Sequence, residues 1–238
     1  MIKLPILIAI SFIHSITFLS DRSPTINHPE TGLFIWHFMV KPNNSEKFFN
    51  MVAPDSVYYH DDYAIESNLI QKQIERADGK TTITSETHGF YIIDFTKRQF
   101  FQCDSLPTLK NLTKENWQPI ESKKIGVLFN YPFYNGENFV SKDTVIDNKP
   151  YQLIRYLNSK GSSKGAQVTL YIAPNMSSPI PFYAIQKKFT GRLCMISIIE
   201  KEGEVKMILE YQKDSTASPI YKTLEEMEKT MPKELNQS

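Results

Sequence analysis

Short strand-like runs separated by turn residues recur along this chain of 238 residues, and they limit its fold more than any other feature. Residues 33–40 form the first run, which is apolar, aromatic and short enough for a buried strand. Two pairs of runs predict hairpins: residues 68–77 with 81–87, and residues 90–95 with 99–103. Asp78 and Gly79 form a strong hairpin turn in the first pair, and a short polar turn joins the second pair.

The second half of the chain repeats this pattern. Residues 167–172 alternate, with Val168, Leu170 and Ile172 on one face. Residues 204–211 alternate as well, so one face packs and the other meets water. Short turns between roughly ten such runs favour antiparallel pairing, because parallel strands need long crossovers. A sheet of this size tends to curl. The sequence therefore predicts a mainly β fold, a large curved antiparallel sheet in the form of an open or half barrel.

One or two short helices are expected beside the sheet. Residues 45–52 begin with Ser45 as a helix cap, which predicts one or two helical turns. Leu224, Met227 and Met231 follow helical spacing within residues 223–231. The C-terminal segment, residues 214–238, is thus either a short docked helix or a frayed tail.

Residues 1–20 predict an export signal. Lys3 supplies a short positive region, and residues 4–19 are almost wholly apolar. A run of about 16 residues is shorter than the about 20 needed to span a bilayer. We therefore expect a cleaved signal helix, with an uncleaved anchor as the alternative, and no membrane span after cleavage. A flexible lead-in at residues 21–32 and a single β-rich domain at residues 33–213 would follow, in the periplasm or outside the cell.

The charge balance and the two cysteines restrict the partners and the redox chemistry. Lys and Arg number 27 against 26 Asp and Glu, mixed along the chain, which argues against nucleic-acid binding and a polybasic membrane patch. In an exported protein, Cys103 and Cys194 can form one disulfide. Two buried free thiols are the alternative.

No sequence motif predicts catalysis. His60, Asp61 and Asp62 form the most metal-like group, because imidazole and carboxylates bind divalent ions. Adjacent residues on a strand, however, point to opposite faces, so a hairpin turn is the favoured interpretation. Glu86 and His88 provide only two ligands on one strand face. The sequence thus predicts no catalytic residue, no metal site and no cofactor.

Large apolar side chains are dense on strands that should have two faces. A curled sheet must bury them against itself, a helix or a ligand. The residues predicted to line an apolar concave face are Trp36, Phe38, Tyr91, Ile93, Phe101, Tyr156 and Phe182. A filled core is the alternative, and it is favoured over a ligand cavity.

Three stretches carry a resemblance to a known family. They are residues 91–98 (YIIDFTKR), residues 143–151 (DTVIDNKPY), and residues 179–181 followed by 189–196 (FTGRLCMI). In the last stretch, Phe189, Gly191 and Ile196 fit the family signature. Together they resemble the GLPGLI family of secreted Bacteroidetes-type proteins and its relatives with a curved sheet like that of the lipoprotein carriers LolA and LolB. The resemblance implies an envelope or secreted protein with an apolar groove and no active site.

Three functional hypotheses follow. The leading one is a non-enzymatic envelope protein that binds a lipid or acyl chain on the concave face of its sheet. The second is a structural or interaction module that binds an envelope partner, and the third is an unrecognised hydrolase. An unfilled concave face favours the first hypothesis, whereas a filled interior with an exposed apolar patch favours the second.

Overall fold

One antiparallel sheet dominates the chain. The computed structural model describes residues 31–52, 54–75, 78–79, 81–106, 117–130, 138–159, 164–212 and 218–231. The strands are β1 (Thr31–Pro42), β2 (Phe49–Asn50), β3 (Asp55–His60), β4 (Tyr63–Glu75), β5 (Thr81–Asp94), β6 (Gln99–Cys103), β7 (Gln118–Pro119), β8 (Val140–Ile146), β9 (Lys149–Leu157), β10 (Gln167–Ala173), β11 (Arg192–Ile199) and β12 (Gly203–Gln212). The helices are α1 (Tyr183–Gln186) and α2 (Pro219–Thr230), and a 3-10 turn spans Ile120–Ser122.

The strands follow the order β7-β6-β5-β4-β3-β1-β12-β11-β10-β9-β8, and β2 pairs with the end of β1. The first and last long strands therefore meet in the middle of the sheet, where Leu33 pairs with Gln212 and Pro42 with Gly203. Strands β7 and β8 are the two edges and do not pair with each other, so the sheet is open. This arrangement confirms the prediction of a mainly β, open antiparallel sheet.

The sheet curves around one large apolar cluster. Buried side chains from nine strands meet in it, including Phe34 of β1, Ile93 of β5, Leu170 of β10 and Leu209 of β12. Strands near both edges contribute to the same cluster, so the sheet curls toward it. We call this face the concave face. Val168, Leu170 and Ile172 share it, as their alternation predicts.

A second, smaller cluster lies on the opposite face, which we call the convex face. Helix α2 packs there with Tyr221, Leu224 and Met227 buried against Ile65 and Ile92. Ser218 caps the helix, since its Oγ accepts a hydrogen bond from the Ile220 amide at 3.3 Å. Within the described part of the C-terminal segment, Pro219–Thr230 thus form a docked helix. Neither α1 nor α2 has the length and apolar character needed to cross a bilayer.

One expectation from the sequence is wrong, and of the two states left open for the cysteines the structure has free thiols. Residues 45–52 form no helical turn; they contain β2, which pairs with Met39 and Val40. Phe49 in β2 is 54% exposed, so it does not contribute to the buried apolar face that a helix here would need. Cys103 and Cys194 are free thiols and form no disulfide. They lie on β6 and β11, with five strands between them. A disulfide needs its two Cα atoms within about 7 Å, and even adjacent strands are about 4.8 Å apart.

The export signal at residues 1–20 lies outside the described residues and stays a prediction. So does most of the lead-in at residues 21–32. The C-terminal tail is described only at residues 218–231. The proposed domain limits at residues 33 and 213 also stay predictions.

Candidate functional site

The predicted apolar ligand face is largely occupied by protein. Four of its residues are buried within the concave cluster: Tyr91, Ile93, Tyr156 and Phe182. Trp36 and Phe38 are partly buried and pack against the same cluster. Phe101 is not part of this group, because it lies on the convex face with its ring 6.4 Å from that of Trp117.

Two segments between strands fill the concave face. The first, residues 118–130, we call the covering segment; it buries Ile120, Val127 and Phe129. The second, residues 178–186, buries Phe182 with its ring centroid 6.2 Å from that of Phe129 and 5.7 Å from that of Trp36. These described residues form a packed core where the leading sequence hypothesis expects a ligand groove.

A buried ion pair holds the covering segment against the sheet. Lys123 Nζ lies 2.8 Å from Glu66 Oε2, and the two side chains are 1% and 0% exposed. The Val127 amide donates to Glu66 Oε1 at 2.7 Å. The same lysine donates to the Val127 carbonyl at 3.0 Å and lies over the ring of Tyr91, 4.6 Å from its centroid. The pair thus ties β4 to a segment about sixty positions later in the chain.

Gly126 allows this close approach. Its φ is +72°, and a Cβ at this position would lie 1.8 Å from Glu66 Oε1. Burial raises the pKa of the Glu66 carboxyl, and the adjacent Lys123 opposes that rise. Every polar contact of the pair is internal, which is typical of a structural element.

An open cleft lies at the β8–β9 end of the sheet. It measures about 680 Å³ and is bordered by the β8–β9 hairpin and the loop after α1. Val145, Pro150 and Tyr151 line it from the hairpin, and Lys188 and Phe189 line it from the loop. This volume lies within the usual range of small-molecule sites, about 300–1,000 Å³.

Edge strand β8 and its partner β9 carry exposed apolar side chains, and Val145 among them lines the cleft. They are Val140 at 69% exposure, Val145 at 68%, Ile146 at 38% and Leu157 at 65%. Edge strands are usually protected by charge, proline or a covering element. Large apolar side chains that are exposed together often mark a surface that binds a partner or a ligand. Val145 belongs to both the cleft lining and the exposed apolar set, whereas alternation and register put Val140, Ile146 and Leu157 on the opposite face of the two strands.

The titratable groups singled out from the sequence do not form a nucleophile–base pair. Each thiol donates to a backbone carbonyl, Cys103 to Phe90 and Cys194 to Arg192. Burial raises the pKa of both thiols, that of Cys103 to about 11, so neither ionises readily. His88 and Glu86 are exposed on β5, with His88 Nε2 3.9 Å from Glu86 Oε2.

Sequence reasoning missed the cleft, although one signal for it was present. The stretch DTVIDNKPY was identified only as part of a family resemblance. Its turn residues Asp147 and Asn148 have positive φ values of 48° and 60°, which is typical of a tight hairpin. Val145 and Ile146 directly before such a turn, on a strand with little burial, indicate an exposed apolar hairpin.

Two solved structures are distantly similar to this chain. LprF from Mycobacterium bovis is 13% identical, over 79% of this chain and 89% of LprF, with a TM-score of 0.31. The LolA superfamily protein NE2245 from Nitrosomonas europaea is 12% identical, over 79% and 86% of the two chains, with a TM-score of 0.23. No family model and no curated protein matches the chain. NE2245 bears the LolA name that the sequence resemblance included, but TM-scores this low carry neither ligand nor partner over to this chain.

Proposed function

We propose that this chain is an exported, non-enzymatic envelope protein that binds an apolar ligand, a lipid or acyl chain, in the cleft beside β8. The observation that carries the proposal is an open cleft of about 680 Å³ whose apolar lining includes Val145, a residue of edge strand β8 that is 68% exposed. Because the concave face is filled over the described residues, the ligand site proposed here differs from the one expected from the sequence. Burial raises the pKa of both thiols, which argues against a thiolate nucleophile.

The chemistry of the cleft suits an amphipathic ligand. Pro150, Val145 and Phe189 offer apolar contact for a hydrocarbon chain. Lys188 and Asp143 add one positive and one negative charge to the lining, so the polar end of the ligand would meet both. The ring of Phe189 lies 4.8 Å from that of Phe139, so the apolar lining continues beyond the cleft.

The test is a titration of the folded protein with a fluorescent fatty acid, 11-(dansylamino)undecanoic acid. We expect saturable binding at one site, and Val145→Glu should weaken it at least about tenfold, the cost of placing a charge against a hydrocarbon chain. Ile74→Glu is the matched control, because Ile74 is also an exposed strand residue, at 50% exposure, and is not among the cleft-lining residues. Equal loss in both variants, or no saturable binding by the unmodified protein, would refute the proposal.

A second candidate function rests on the edge position of β8. An edge strand with exposed apolar side chains is suited to pairing with an extended strand of another protein. A photo-reactive residue at Val140 would then give one discrete cross-linked protein in the intact envelope. Val145→Lys should abolish that product, whereas Ile74→Lys should not. A smear of products, or none, would count against this function.

A further inference from the structure

Three metal-ligating side chains converge where α2 meets the β3–β4 turn. His60 is the last residue of β3, Asp61 begins the turn, and Glu228 lies on α2. His60 Nε2 is 3.0 Å from Glu228 Oε2 and 3.9 Å from Asp61 Oδ2. All three ligand atoms lie within 4.8 Å of one another. A tetrahedral zinc site with bonds of about 2.05 Å has ligand atoms about 3.3 Å apart, so small shifts would complete it.

The local backbone explains why neighbouring residues share one site here. Asp61 has a φ of 48°, a left-handed conformation that aspartate tolerates in tight turns. Its carboxylate therefore does not follow the alternation of a strand, which would direct it away from His60.

The imidazole ring of His60 is held in the orientation that a metal ligand needs. Its Nδ1 is 2.6 Å from Thr31 Oγ1, so the opposite nitrogen, Nε2, faces the two carboxylates. Ligating histidines usually have such a partner on their second nitrogen. The three side chains are 21–24% exposed, which leaves water access to the remaining coordination positions.

The surroundings of this cluster are negatively charged. Asp62 follows Asp61 in the β3–β4 turn, and Asp94 pairs with Tyr63 across β4 and β5. Lys97 Nζ lies 3.9 Å from Asp94 Oδ2 and offsets part of this charge. Excess carboxylate charge around a histidine favours a bound cation.

We propose that His60, Asp61 and Glu228 bind a first-row divalent cation, with Zn²⁺ as the ion best matched to one imidazole and two carboxylates. Calcium and magnesium prefer sites made entirely of oxygen, so the histidine selects against them. The bound ion would join the C-terminal helix to the β3–β4 turn.

The experiment is a calorimetric titration of the chelator-treated full chain with ZnCl₂, paired with the visible absorption spectrum of the Co²⁺ form. We expect one ion per chain. His60→Ala and Glu228→Gln should each weaken binding by more than about 100-fold, and Thr31→Val, which removes a positioning contact, by about tenfold. Glu226→Gln is the matched control: it removes the same charge from an exposed position on the same helix and should leave affinity unchanged.

Several outcomes would overturn the inference. One is an affinity that falls as much in Glu226→Gln as in Glu228→Gln; another is Ca²⁺ displacing Zn²⁺ at similar concentrations. Both results would mean that acidic surface groups attract cations without a defined site. If circular dichroism shows that His60→Ala does not fold, Asp61→Asn and Glu228→Gln decide the question, and retention of the Co²⁺ spectrum in both would contradict the site.

Discussion

At the scale of single residues, the Glu66–Lys123 pair is the most demanding feature of the chain. Both charges are removed from water. The attraction within such a pair offsets the desolvation cost only when the remaining hydrogen-bonding groups of both side chains are satisfied. Lys123 meets this condition through the carbonyls of Ile125 and Val127. The pair therefore contributes mainly to the placement of the covering segment over the concave face.

Lys123→Met should lower the free energy of unfolding by about 3–5 kcal/mol at pH 7, because it leaves the Glu66 carboxylate buried without a counter-charge. Urea unfolding measures this change. Lys124→Met is the control, since Lys124 is exposed and its loss should cost less than about 0.5 kcal/mol.

The deficit of Lys123→Met should depend on pH in a defined direction. Burial raises the pKa of Glu66 above its ordinary value of 4.5, so the folded state holds this proton more tightly than the unfolded state. Stability from that proton is present below pH 4.5 and lost as the pH rises through the folded-state pKa. The variant should thus approach the unmodified protein in acid, and a deficit that grows in acid would contradict this reasoning.

At the scale of elements, the local sequence predicted the turns correctly, whereas it could not predict which distant segments come into contact. The hairpin around Asp78 and Gly79 was predicted because turn residues specify a turn through their own conformations. The partners of Glu66 and His60 could not be predicted, since Lys123 and Glu228 reach them only through the topology of the sheet. Residues 45–52 show the opposite error. Ser45 was interpreted as a helix cap, although the segment has no buried apolar face to hold a helix against the core.

Helix α2 illustrates how an element depends on tertiary packing. A helix of 12 residues is only marginally stable alone, and this one is held by Tyr221, Leu224 and Met227 against the convex face. Leu224 is fully buried there.

Leu224→Ala should cost about 2–5 kcal/mol of unfolding free energy through the cavity that it leaves. The control is Glu225→Ala at the adjacent position, where the side chain is only partly buried. It should change the free energy of unfolding by less than about 0.5 kcal/mol. Chemical denaturation of the two variants in parallel gives the comparison. Similar losses in both would mean that α2 is not held by its apolar face.

At the scale of the whole molecule, the curved sheet encloses protein instead of a ligand over the described residues. Phe182 lies near the centre of this arrangement, with its ring 6.1 Å from that of Phe34. The aromatic residues that the sequence assigned to ligand binding pack in or against the concave cluster, except Phe101, and their role in binding stays a prediction. Their partners in the covering segment could not be foreseen, because no local pattern in residues 120–130 predicts where that segment packs.

Phe182→Ala should lower stability by about 3–5 kcal/mol, as expected for a large core aromatic residue. At temperatures where it stays folded, its affinity for the fatty-acid probe should equal that of the unmodified protein, because the proposed cleft is elsewhere. Phe49→Ala, at an exposed position, is the control for stability. A selective loss of probe binding in Phe182→Ala would return the ligand to the concave face.

The central pairing of β1 with β12 has a consequence for the order in which the chain acquires its structure. In the sheet, β3–β7 on one side and β8–β11 on the other are connected only through this pair. A ribosome or a secretion channel releases the β1 sequence early and the β12 sequence near the end. The middle of the sheet can therefore close only when almost the entire chain has emerged, and pairings between such distant segments form slowly. Until then, each half of the sheet lacks the central strand pair that joins it to the other half.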